Sequence, residues 1–209
     1  MPTETQQRDQ AVVSDPSARI MTIPNQLTAI RLVLAVVLFT LLSIDRYFLA
    51  SFVIFLVAAG TDWLDGYLAR KYHLVTQVGR IFDPFADKII ICGTFICLVP
   101  YYDRPDLPSS GIAAWMAVVV VGRELLVTAM RSHFEGMNID FSANTAGKWK
   151  MVLQCLAASL SLFYLARPDE VAAWYPQLLT ASIWAAVALT IYSGLGYVFV
   201  AMKLIRRPG

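Results

Sequence analysis

Long apolar runs broken by short polar connections dominate the chain. Six of them, at about 27–45, 48–70, 82–101, 111–132, 148–167 and 178–204, are near the length of about 20 mostly apolar residues that a membrane-spanning helix needs. The runs are continuous rather than alternating and too long for barrel strands, which excludes a β architecture. The pattern predicts an all-α integral membrane protein with six transmembrane helices in one compact bundle. Residues 1–19 are polar, contain Pro and Asp and lack the apolar core of a secretory signal, so they read as a disordered cytosolic tail; residues 20–209 form the membrane domain. Between the two, Ile20, Ile23, Leu27 and Ile30 recur at three- and four-residue steps, with Pro24 among them. That spacing fits a short N-terminal interfacial helix turned into the first span at Pro24, or an ordinary start of that span.

Composition agrees. The chain has 209 residues, 57% hydrophobic and 15% charged, against about 45–50% and about 25% for soluble domains. A net charge of +2 gives no footing for nucleic acid, so the position of each charge matters more than the sum. If the N-terminus is cytosolic, the inner ends of the spans carry Arg19, Arg31, Arg70, Lys71, Arg80, Lys88, Arg131, Lys148, Lys150, Lys203, Arg206 and Arg207. The outer loops carry only Arg46, Arg104 and Arg167, each near acidic residues. The asymmetry places both termini in the cytosol. Cys92, Cys97 and Cys155 lie in apolar runs without a CxxC or a Cys/His cluster, and read as inert thiols.

One inner stretch does not fit a plain membrane bundle. Thr61 to Lys88, TDWLDGYLARKYHLVTQVGRIFDPFADK, holds Asp62, Asp65, Asp83 and Asp87. The first two are three apart at the end of the second span, and the last two are four apart at the start of the third. Each pair therefore shares a helix face. A short connection makes the two helices antiparallel neighbours, so four carboxylates converge. Like charges in a low-dielectric pocket repel unless protonated or neutralised by cations. Oxygen ligands without His or Cys favour Mg2+, Mn2+ or Ca2+ over zinc, and four carboxylates suit a two-metal site that clamps a phosphoryl group. Ala58, Ala59 and Gly60 permit close helix packing. Gly66 and Ala69 leave room for a ligand on the aspartate face, Gly79 relieves the loop of bulk, and Arg70 can fork onto a phosphate.

These residues read D-x2-D-G-x2-A-R-x8-G-x3-D-x3-D. The motif resembles the signature of the CDP-alcohol phosphatidyltransferases, six-span enzymes of phospholipid synthesis, and the resemblance extends from Ile23 to about Met151. It implies transfer of a phosphatidyl group from CDP-diacylglycerol to an alcohol, with release of CMP. It implies two divalent cations, Mg2+ or Mn2+, on Asp62, Asp65, Asp83 and Asp87, with Asp87 also the general base. It places Gly66, Ala69, Arg70, Thr76 and Gly79 beside the cytidine diphosphate group. Asn25, Thr28 and Arg31 of PNQLTAIR approach the same group. It also implies an active site at the cytosolic face of the bilayer and, commonly, a homodimer.

The acceptor alcohol is read from the second half. Arg123 and Glu124 lie within the fourth span, where ionisable residues are functional candidates. Arg123 and Arg131 are eight apart and share roughly one face, and Lys148 and Lys150 begin the fifth span on the same side. Such a basic pocket suits a phosphorylated alcohol. The stretches VGRELLVTAMR and AGKWKMVLQ resemble the bacterial phosphatidylglycerophosphate-forming branch of the family. That implies glycerol 3-phosphate held by Arg123, Arg131 and Lys148, in a bacterial cytoplasmic membrane. Glu124 orients Arg123 in this reading. Lys150 reads more readily as an interface anchor. Inositol phosphate, serine or phosphatidylglycerol as acceptor would keep the chemistry. A divalent-cation transporter is the alternative from another class, but its carboxylates would sit near mid-membrane in broken helices. His73 and His133 read as surface residues, Trp115, Trp149, Trp174 and Tyr175 as interfacial anchors, and Trp63 as a packing or lipid-facing residue. Gly194 and Gly196 mark a close helix contact or a bend, with a dimer interface as one occasion for it.

Overall fold

The computed structural model describes residues 23–72, 77–136 and 145–205, with side chains at most of these positions. Its long elements are α1 (Ile23–Ser43), α2 (Phe48–Tyr72), α3 (Gln77–Leu98), α4 (Ala114–Gly136), α5 (Thr145–Ala166) and α6 (Tyr175–Ile205). A 3-10 turn, Val99–Tyr101, extends α3, and another, Pro168–Glu170, leads into α6. No strand occurs among the described residues. Each helix covers one of the six apolar runs, and the boundaries depart from the expectation mainly at the polar ends, where α3 and α5 begin earlier. Pro24 does not interrupt α1. It occupies the first turn, where the missing N–H has no helical partner to lose, and the helix runs on through PNQLTAIR. The tail and the residues before Ile23 lie outside the described residues.

Helix α1 packs on α2 and α3, and α5 packs on α2 and α6. Phe48, at the start of α2, meets Tyr101, just past the end of α3, with ring centroids 5.2 Å apart and perpendicular planes. The Tyr101 hydroxyl donates to the carbonyl of Leu42, near the end of α1. One end of the bundle thus gathers the α1–α2 and α3–α4 connections. Phe163 of α5 joins them, 5.4 Å from Phe52 and 6.0 Å from Tyr175. The core of the bundle runs through Leu38, Phe55, Phe95, Val120, Leu162 and Ile183, all but excluded from solvent. Gly93 allows α3 to meet α1, since a Cβ there would stand 2.1 Å from the Phe39 ring. Gly111 holds a left-handed φ of 74° in the loop before α4, with a would-be Cβ 2.6 Å from Ile183; both facts favour glycine.

The surface is unusually apolar and several interior positions are polar. Val33, Val36, Val118, Leu125 and Phe199 are exposed, whereas Ser51, Thr94, Gln154, Ser161 and Thr190 are buried. The buried hydroxyls are satisfied within the bundle. Thr94 and Thr190 donate to carbonyls one turn back, Gln154 donates to Thr190 at 2.9 Å, and Ser161 donates to the Ser110 carbonyl at 2.8 Å. Polar links between helices are the glue that remains when the surroundings offer no hydrophobic drive. Two stretches, Trp149–Ala166 and Tyr175–Lys203, are long and apolar enough to cross a membrane. Shorter apolar stretches lie at Ala29–Ser43, Phe48–Thr61 and Lys88–Tyr101.

Candidate active site

The aspartate motif runs from the end of α2 to the start of α3. Asp62 and Asp65 belong to the last turns of α2, and Asp83 and Asp87 to the first turns of α3. The two helices pack together, and the contact of Phe48 with Tyr101 at their far ends makes them antiparallel. Both aspartate pairs therefore stand at the same end of the bundle. Pro84 sits eight positions into α3, which begins at Gln77. The side chains of Asp62, Asp65, Asp83 and Asp87 lie outside the described residues. So do those of Asn25, Thr28, Arg70 and Lys148, and Thr76 altogether. By backbone, Asn25 and Thr28 belong to α1, Gly66, Ala69 and Arg70 to α2, Gly79 to α3 and Lys148 to α5. Four carboxylates on two packed antiparallel helices fit hard divalent cations by their donor chemistry. Among the described residues no three His, Cys, Asp or Glu side chains gather as a metal site.

Beside this end lies a buried charged cluster. Glu124 on α4 is 7% exposed and Lys150 on α5 is 4% exposed, and the Lys150 ammonium donates to Glu124 Oε1. Arg123 Nη1 donates to the same carboxylate at 3.2 Å. Charges so deep survive only when paired, and here one carboxylate serves two cations. Lys150 is therefore part of the buried cluster rather than an interface anchor; its neighbour Trp149 is 66% exposed. Arg123 also lies over the ring of Tyr197 on α6, its guanidinium carbon 5.4 Å from the centroid. Arg131 donates Nη2 to the Tyr197 hydroxyl at 3.3 Å. The structure thus brings Arg123 and Arg131 together, as their spacing predicts, but through a residue of another helix.

The cluster is tied to the aspartate end by Lys88, the residue after Asp87. Its ammonium donates to Thr128 Oγ1 at 2.5 Å, and Thr128 in turn donates to the Glu124 carbonyl at 2.6 Å. Arg31 is buried, at 2% exposed, on the helix that packs against both α2 and α3.

Tyr197 stands outside the residues expected at the site, whereas Lys150 belongs to the expected basic pocket, with an interface anchor as the other reading. Nothing local marks Tyr197, since an aromatic in an apolar run is ordinary. For Lys150 a signal existed: Glu124 needed a cation, and Lys150 faced it. Gly194 is a close contact, as expected, with a would-be Cβ 3.0 Å from Arg123 Cγ. Gly60 and Gly196 are not, since nothing among the described residues lies within 4 Å of theirs. Tyr175 is buried and donates to the Leu160 carbonyl at 3.0 Å, so it packs rather than anchors. Trp115 and Trp174 are exposed, as is His133. His73 lies outside the described residues, as does the side chain of Trp63.

Comparison with known proteins follows this geometry. The family model for CDP-alcohol phosphatidyltransferase matches residues 21–192, covering the aspartate motif and the charged cluster together. A Bacillus subtilis protein named CDP-diacylglycerol–glycerol-3-phosphate 3-phosphatidyltransferase is 36% identical over 155 residues, 74% of this chain and 75% of that one. A Rickettsia typhi protein of the same name is 30% identical over 87% of this chain and 97% of its own. A rice protein named cardiolipin synthase (CMP-forming) is 31% identical over 85% of this chain and 56% of its own. The chain belongs to the CDP-alcohol phosphatidyltransferase family.

Proposed function

We propose that this protein is an integral membrane enzyme that transfers the phosphatidyl group of CDP-diacylglycerol to glycerol 3-phosphate, giving phosphatidylglycerophosphate and CMP. The observation that carries the reading is the buried cluster of Arg123, Glu124 and Lys150, with Arg131 beside it, linked by Lys88 and Thr128 to the helix of Asp83 and Asp87. A phosphorylated acceptor would be held there by cations, next to carboxylates suited to the reacting phosphates. The names of the Bacillus and Rickettsia relatives support the same acceptor. Helices α1 to α6 are the six spans, with both termini and the aspartate end on the cytosolic side of a bacterial inner membrane, as the basic residues favour. A homodimer belongs to the same reading.

Asp62, Asp65, Asp83 and Asp87 would hold two divalent cations, Mg2+ or Mn2+, which neutralise phosphate charge when bound. Gly66, Ala69 and Gly79 keep bulk away from the cytidine diphosphate group, and Arg70, with Arg31, Asn25, Thr28 and Thr76, supplies donors to it. Arg123, Arg131 and Lys148 bind the phosphate of the acceptor, leaving its primary hydroxyl free to face the nucleotide-linked lipid. Asp87 accepts the hydroxyl proton as the oxygen bonds to the β-phosphorus and the bond to CMP breaks. Positioning and charge complementarity supply most of the rate in such transfers, because the protein forms no covalent bond.

A second reading takes phosphatidylglycerol as acceptor, favoured by the likeness to the rice cardiolipin synthase. A phosphodiester carries one negative charge, and a pocket with three cations suits a monoester better. Membranes containing the protein, supplied with CDP-diacylglycerol, Mg2+ or Mn2+ and each labelled alcohol in turn, decide between them. The expected result is phosphatidylglycerophosphate with equal CMP release, abolished by a chelator. Product from phosphatidylglycerol, inositol phosphate or serine, with none from glycerol 3-phosphate, would overturn the assignment.

A further inference from the structure

Helix α6 carries none of the residues assigned above, yet both acceptor-site arginines of known geometry end on it. Arg123 lies against the face of Tyr197 and Arg131 reaches its hydroxyl. The ring is 6% exposed and is locked by Val127, Phe134 and Ala201. Gly194, three residues earlier and on the same helix face, leaves room for the stem of Arg123, as a Cβ there would press on Cγ at 3.0 Å. One turn of α6 thus offers a bare backbone for the stem, a π-face for one guanidinium and an oxygen for the other.

Two guanidiniums meeting at one side chain repel each other, and Glu124 is the carboxylate among the described residues that offsets them. Among the described residues in mutual contact, Arg123, Arg131 and Lys150 stand against the single carboxylate of Glu124. Three positive charges less one negative leaves a surplus of two. Arg123 Nε is also buried without a hydrogen-bond partner among the described residues. Surplus charge and an unused buried donor are the marks of a place held ready for an anion, and a phosphate monoester carries about −1.5 to −2 near neutral pH.

We propose that Tyr197 is a positioning residue for the acceptor: its ring face fixes Arg123 and its hydroxyl fixes Arg131, so that both present donors to one phosphate. The inference rests on the reading of the acceptor as a phosphorylated alcohol. Tyr197→Phe removes only the hydroxyl, and Tyr197→Leu removes the π-face as well.

The test is steady-state kinetics of the full-length protein in CDP-diacylglycerol micelles, with glycerol 3-phosphate and CDP-diacylglycerol varied in turn. Tyr197→Phe is expected to raise KM for glycerol 3-phosphate by roughly 2–10-fold, the range of one net hydrogen bond, with kcat and KM for CDP-diacylglycerol nearly unchanged. Tyr197→Leu should raise it further. Competitive inhibition by inorganic phosphate should weaken in parallel. If Tyr197→Leu fails to fold, Tyr197→Phe, which keeps the ring packing, still decides. An unchanged KM for glycerol 3-phosphate in Tyr197→Phe, or a rise shared equally by both substrates, would overturn the inference while leaving the reaction assigned. A wild-type protein inactive with glycerol 3-phosphate would instead overturn the acceptor reading, and this inference with it.

Discussion

Lys150 of α5 donates to the carboxylate of Glu124 on α4, with both side chains buried in the bundle. This pair joins two helices that are separated in sequence by residues 137–144. It also sets the position of Arg123, whose guanidinium bonds to the same carboxylate.

Breaking the pair from one side should be costly. Lys150→Met leaves Glu124 with Arg123 as its remaining cation, so the cost should fall below the about 3–5 kcal/mol of a buried charge left wholly unpaired. The double replacement Glu124→Gln with Lys150→Met should not recover that stability, because Arg123, which shares the same carboxylate, would then be left buried without it. Unfolding in a mixed-micelle titration reads both. Equal stability of the single variant and the wild type would show that the pair contributes nothing.

Arg123→Ala should act on substrate binding more than on turnover. Loss of a hydrogen bond to a charged group removes about 1.5–3 kcal/mol, so KM for glycerol 3-phosphate should rise roughly tenfold to a hundredfold. The kinetic split between the two substrates checks this, and an unaltered KM would remove Arg123 from the acceptor site.

Asp87→Asn should leave the thermal midpoint close to wild type and lower turnover by more than about a hundredfold. General acid–base catalysis contributes typically ~10²–10⁴, and a metal ligand is damaged as well. Radiolabelled CMP release measures it; near-normal release would take Asp87 out of the mechanism.

Gly93→Val should destabilise the bundle without touching the chemistry. Its Cβ would stand 2.1 Å from Cζ of the Phe39 ring, and overpacking of this kind costs typically about 1–3 kcal/mol. A lower melting midpoint with unchanged KM for both substrates is the expected outcome. A midpoint equal to wild type would mean that Phe39 swings aside freely.

The opposite end of the bundle has its own pH dependence. Asp45 accepts from Tyr101 and, at 2.6 Å, from Arg104. These bonds, that of Tyr101 foremost, hold its carboxyl below the usual range. A depressed folded-state pKa gives stability that is present above the unfolded value, about 3.9, and is lost as pH falls through the lower folded value. Melting midpoints should thus differ between wild type and Asp45→Asn at pH 6 and converge on acidification below about pH 4. A constant difference down to pH 3 would show that the carboxylate charge plays no part.

Much of this protein is legible in its sequence because the features are local. Six apolar runs set six helices, since a run of that length can satisfy its backbone only as a helix in an apolar setting. The aspartate motif is equally local: three- and four-residue steps and a short connection are enough to place two acidic pairs at one end of two neighbouring helices. The clustering of Arg123 with Arg131 follows from helical periodicity alone.

Which distant residues complete the charged cluster depends on packing between helices. Lys150 could read as an anchor because its position near a helix start is all that the local sequence reports. Its burial depends on how α5 packs against α2, α3 and α6, and that arrangement is set by the bundle as a whole. Tyr197 was invisible for the same reason: a tyrosine among apolar residues acquires its role only when α6 lays it under Arg123 and beside Arg131. Periodicity along one helix assigns faces, but the pairing of faces between helices is a property of the assembled core.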